Sequence, residues 1–232
     1  MLVAAAFCPQ PPLLVPGVAA GATAELDDLR AACDAAVAGL LGAGADLLVV
    51  VGDAPVVGPY PEGAWGSLRA YGVPVQVASG EGSPTLPLSL TLGRWLLDRR
   101  PRPTAPVLLF GVSADSAPAR CRALGEALAA RAATVAVLVM GDASARRSVK
   151  GPGFLDERAE PFDADVARAL ADGDVAALAA LDPDLAGDLL VAGRAPWQVL
   201  AGAAAPGPWR GEVTYDAAPY GVTYLVAGWR RG

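Results

Sequence analysis

Five consecutive apolar residues, Leu47 to Val51, stop abruptly at Gly52-Asp53. A strand without polar alternation has no face to give to water, so it must lie between two layers of cover. That requires helices above and below the sheet, and the rest of the chain supplies them. Short β-rich runs at Leu2–Phe7, Val73–Ala78, Val107–Phe110 and Thr134–Met140 alternate with alanine-rich stretches of helical spacing. The first helix is expected over Ala22–Leu41, with Thr23 as its N-cap and Leu26, Leu29, Cys33, Val37 and Leu40 on its apolar face. Helices follow at Leu88–Arg99 and Pro118–Arg131. Shorter ones are expected at Phe162–Leu170, Val175–Leu181, Leu185–Leu190 and Pro196–Ala204, and a hairpin around Val213–Tyr215 and Val222–Ala227. The alternation predicts a single α/β sandwich domain over residues 1–232, its central sheet mostly parallel or mixed and flanked by helices.

Charge narrows the range of partners. The formal net charge is −6, and no basic cluster exceeds a pair such as Arg99-Arg100. A nucleic-acid partner would need a dense positive face, so none is expected. The apolar runs are too short to span a bilayer, and the N-terminal run reads as a strand, so no membrane association is expected either. Cys8, Cys33 and Cys121 are odd in number and widely spaced, which fits reduced, buried thiols and a cytoplasmic location. The chain contains no histidine. That removes the commonest metal ligand and the commonest general base at once.

In open α/β sheets, sites gather at the carboxyl ends of the strands. The segments expected there are "CPQPP" after the first strand, "GDAP" after Val51, "GVSADS" after Phe110 and "GDASARRS" after Met140. Singly, each is an ordinary connection. The first is notable for its stiffness, because Pro9, Pro11, Pro12 and Pro16 hold one amide, Gln10, in place.

In order, "CPQPPLLVPG", "LLVVVGDAP", "VLVMGDAS", "VAGRAPWQVLAGA" and "YDAAPYGVTYLVA" resemble the class III extradiol ring-cleavage dioxygenase superfamily, in its B-type branch, with its Memo-like relatives. The first is similar to the family's Pro-His-Pro-Pro loop, the second to its Ser-Pro-His-Gly-Pro turn and the third to its Gly-Asp-Leu-Ser-His segment. The last two are similar to a Glu-Cys-Gly-x-x-Pro stretch and a terminal Tyr-x-x-Pro-Phe-Gly-Val-Gly-Tyr run. The resemblance implies the fold of that B-type branch. Members that cleave catechols hold iron(II) with two histidines and a carboxylate, with open positions for catecholate and dioxygen. Carried onto this chain, the metal-ligand positions fall on Gln10, Asp53 and Val191, and the acid/base position falls on Ala145.

None of these four keeps the family's residue, and a histidine-free chain cannot build a two-histidine site under any alignment. Ring cleavage by the iron mechanism is therefore not expected, and no cofactor is expected. The implied protein is a dioxygenase-like pseudoenzyme: a binder of small polar molecules, or a scaffold. The candidate pocket is Gln10, Asp53, Asp142, Ser144 and Cys8, and Asp53 is the only plausible metal ligand. Two alternatives stay open. One is an enzyme of different chemistry using Asp53 and Gln10, with Mg or Mn as a hard cation. The other is a non-catalytic subunit of a hetero-oligomer, or a homodimer, as the resemblance implies.

Overall fold

Leu48 and Val50 point into one apolar layer and Val49 and Val51 into the other, all four almost wholly buried. Period-two alternation with apolar residues on both faces thus places this strand inside a three-layer sandwich. The computed structural model describes the whole chain except residues 19, 20, 22, 79, 102, 205 and 206. Its strands are β1 (Leu2–Cys8), β2 (Leu47–Asp53), β3 (Gly58–Pro59), β4 (Gly66–Ser67), β5 (Gln76–Val77), β6 (Val107–Val112), β7 (Val135–Met140), β8 (Trp209–Ala217) and β9 (Tyr224–Arg231). The helices are α1 (Asp27–Leu41), α2 (Leu88–Asp98), α3 (Pro118–Ala129), α4 (Ala159–Asp172), α5 (Val175–Ala179), α6 (Pro183–Asp188) and α7 (Arg194–Ala203).

The main sheet has seven strands in the order β3-β6-β2-β7-β1-β9-β8. β6, β2, β7 and β1 are parallel, and β3, β9 and β8 add antiparallel edges. α1 and α2 pack on one face around Leu29, Cys33, Leu90 and Leu96. α3 to α7 pack on the other around Cys121, Phe162, Val166 and Trp197. The sheet is mixed, as expected, and it aligns the carboxyl ends of four parallel strands along one edge.

Two expected elements change. The strand over Val73–Ala78 shrinks to Gln76–Val77, paired with β4 in a separate two-stranded sheet. Pro74 removes a backbone donor in that run, so it cannot join the main ladder. The first helix begins at Asp27 after a 3-10 turn at Thr23–Leu26, with Leu26 and not Thr23 at the N-cap position. Ala22, the first residue of the expected helix, lies outside the described residues.

α3 and α7 cross in close contact through two glycines. A Cβ on Gly125 would collide with the Val199 carbonyl, and one on Gly202 with the Arg122 backbone. Because backbone cannot yield as a side-chain tip can, Gly125→Ala is expected to cost about 1–3 kcal/mol of stability. Thermal unfolding checks this, and an unchanged midpoint would mean that the helices are free to separate.

Candidate functional site

β2, β7 and β1 lie side by side, so their carboxyl ends bring Asp53, Asp142 and Gln10 into one row. Asp53 and the Gln10 loop are two strand spacings apart, roughly 10 Å. Asp142, from the intervening strand, stands between them. Its Oδ1 accepts the backbone N–H of Gln10 at 2.7 Å, pinning the proline loop to the end of β7. Pro12–Leu14 forms a short 3-10 turn that drives Leu14 and Val15 into the core. The stiff loop is therefore anchored at both ends.

Burial pushes the Asp142 carboxyl up to about 7, against the opposing effect of the Gln10 N–H. Near neutral pH this acid is consequently shared between its two protonation states. Tyr224 of β9 is buried close by, and desolvation, then the Asp142 charge, raise its hydroxyl above the usual range. The Gln10 Oε1 atom is buried and has no hydrogen-bond partner among the described residues. A buried acceptor left unpaired costs free energy, and among the described residues this oxygen is the one fully buried, unpartnered side-chain atom of the row.

Burial raises the Asp53 carboxyl, the nearby backbone N–H groups of Ala114 and Ala54 oppose that shift and Asp115 adds to it, while the Ala54 N–H itself donates to the Val112 carbonyl at 2.9 Å. Ser89 of α2 donates to the Asp53 carbonyl at 2.6 Å. The buried Arg194 of α7 grips the same loop from the other side. Its guanidinium donates to the carbonyls of Ala114 and Ser116, the latter at 2.6 Å, and to Gln198 Oε1 at 3.0 Å.

The remaining candidates are engaged elsewhere. Ser144 is fully buried, and its hydroxyl and backbone N–H both donate to Asp163, at 2.6 and 2.9 Å. The Thr223 hydroxyl donates to the same carboxylate at 2.6 Å, and Arg147 approaches it at 3.4 Å. Asp163 thus knots α4, the loop after β7 and the turn before β9 together. Cys8 faces α1, where contact with the Cys33 thiol and burial raise it well above the ordinary thiol range. Ala145 exchanges backbone hydrogen bonds with Leu189 and Gly153. Val191 is core, its side chain 7% exposed. So the structure brings together Gln10 and Asp142, with Asp53 further along the row, and turns Ser144, Cys8 and Val191 away.

Asp163, Arg194, Gln198 and Tyr224 were not among the residues singled out from sequence. Asp163 carried a signal, since it falls on the apolar stripe of its helix with Val166 and Leu170. Arg194 and Gln198 likewise sit four apart within an otherwise apolar helix. Among the described residues, no group of three or more Cys, Asp or Glu side chains is arranged to hold a metal ion. No helix among them is long and apolar enough to cross a membrane.

Among solved structures, the chain is similar to the uncharacterized protein JW3007 from Escherichia coli K12. The two share 13% identity and a TM-score of 0.45, over 98% of this chain and 99% of that one. No protein-family model matches the sequence, and no curated protein matches it.

Proposed function

We propose that this chain is a histidine-free relative of the B-type extradiol dioxygenases that binds a small polar molecule at the carboxyl edge of its sheet, without iron and without ring cleavage. The observation that carries the reading is the Gln10 side-chain oxygen, buried without a partner beside Asp142. With Asp53 it makes an edge rich in acceptors, which suits ligands bearing N–H or O–H donors. The three unpaired cysteines fit a cytoplasmic setting.

Titration calorimetry with cytosine, glucose and catechol tests the reading, together with metal analysis of protein purified without oxygen. At least one probe is expected to bind saturably, roughly tenfold or more weakly to Gln10→Leu. Stoichiometric iron with cleavage of catechol, or no binding of any probe, overturns it.

A second reading is proton transfer at the same edge, favoured by an Asp142 carboxyl that gains or loses a proton near neutrality. In that case Asp53 and Gln10 orient the substrate, with Mg or Mn as an added ligand-holder. Turnover of a bound probe, abolished in Asp142→Asn with binding retained, would separate it from the first.

A further inference from the structure

At the opposite end of the sheet, the outer face of the β8–β9 hairpin and α1 enclose a groove of about 740 Å³. Arg210 of β8 and Arg230 of β9 are direct cross-strand partners there. Residues directly opposite on neighbouring strands share a face, and like charges in that position destabilise the pair. Among the described residues neither guanidinium has a hydrogen bond or an ion pair. This contrasts with Arg94, Arg99, Arg147 and Arg158, each of which meets a carboxylate.

The groove is shaped to leave that pair accessible. Its α1 wall is built of Ala35, Ala36 and Gly39, and a Cβ on Gly39 would come within 3.2 Å of Arg230 Nη2. Gly228, next to Arg230's strand neighbour Trp229, faces open space where a side chain would otherwise project. Glu212, paired opposite Gly228, lines the same groove and makes no ion pair with either arginine. Two guanidinium forks held opposite one another suit a tetrahedral oxyanion. A carboxylate set two residues along suits a hydroxyl donor on the same ligand. The groove volume lies in the range of small-molecule sites, about 300–1,000 Å³.

We infer that this groove is a second binding site, taking a small organic phosphate whose organic part carries hydroxyl groups. Arg210 and Arg230 clamp the phosphate and Glu212 accepts from a hydroxyl. The small side chains of α1 leave room for the ring or chain between them. The site is separate from the row at the carboxyl edge and stands or falls independently of it.

The test is titration calorimetry on the full chain at low ionic strength, where charge pairing is least screened. The probes are ribose 5-phosphate, ribose and inorganic phosphate. Ribose 5-phosphate is expected to bind once per chain and more tightly than inorganic phosphate, and ribose not to bind. Arg210→Gln and Arg230→Gln are each expected to weaken ribose 5-phosphate roughly tenfold or more. Neither is expected to lower the ligand-free thermal midpoint, because removing one of two opposed like charges relieves repulsion. Gly39→Leu fills the groove without changing charge and is expected to abolish binding, whereas Arg122→Gln on α3 leaves it unchanged. Absence of saturable ribose 5-phosphate binding, or unchanged affinity in both groove arginine variants, overturns the proposal. Inorganic phosphate binding as tightly as ribose 5-phosphate also overturns it, as an ion site only.

Discussion

Asp163→Ala is expected to destabilise the protein by about 3–5 kcal/mol, the cost of breaking a buried charged network from its centre. The carboxylate takes the Ser144 N–H and hydroxyl, the Thr223 hydroxyl and one Arg147 nitrogen. Removing it strands two buried hydroxyl donors and a backbone donor, and leaves Arg147 with the exposed Glu160 and the Thr223 hydroxyl oxygen. Urea unfolding followed by fluorescence measures the loss. Ser144→Ala removes one donor and leaves the others in place, so its cost is expected to be smaller, about 1–2 kcal/mol. Equal losses in the two variants would show that Ser144 and not Asp163 is the centre. A catalytic role for Ser144 would instead leave the unfolding midpoint unchanged.

Asp142→Asn is expected to stabilise the protein above neutral pH and to flatten its pH dependence. The ordinary carboxyl titrates near 4, while burial raises the folded value to about 7. Between those values the folded state holds a proton that the unfolded chain has released. Stability therefore falls as pH rises through this window, by up to ~1.4 kcal/mol per pH unit, and the loss is complete above the folded value. Asparagine is neutral throughout and can still accept the Gln10 N–H. The variant should be more stable than the parent by up to ~4 kcal/mol near pH 8, and no more stable near pH 3. Denaturant unfolding at both pH values checks this, and a difference independent of pH would show that Asp142 titrates normally.

The parallel core of the fold was legible because its strands are apolar on both faces. Leu47 to Val51 shows a buried strand in composition alone, and the runs before Phe110 and Met140 repeat the pattern. The edges were less legible. β8 extends to Trp209–Ala217 and alternates exposed with partly buried residues, yet only its centre carries β-branched and aromatic residues dense enough to read. β3 and β4 are two residues each, too short for any period to appear.

Site residues follow the same division. Gln10, Asp53 and Asp142 could be placed at strand ends because turn-forming residues mark where each apolar run stops. Where their side chains point depends on partners more than a hundred residues away in the case of Gln10 and Asp142, and no local pattern reports that. Ser144 illustrates the limit. Its neighbours suggest an open loop, but Asp163 and Thr223 close over it from other elements.

The position of β1 also bears on how the chain is made. It lies between β7 and β9, with Ala5 opposite Val137 on one side and Trp229 on the other. Synthesised before both of its partners, it has no sheet neighbour until more than half of these residues have followed, and its second edge stays open until β9 arrives. Pairing over such separations is slow, and an exposed strand edge invites association with other chains. Ala4, Ala5 and Ala6 fill its middle, and alanine is a weak strand former. The strand that waits longest for its partner is thus among the least adhesive while it waits.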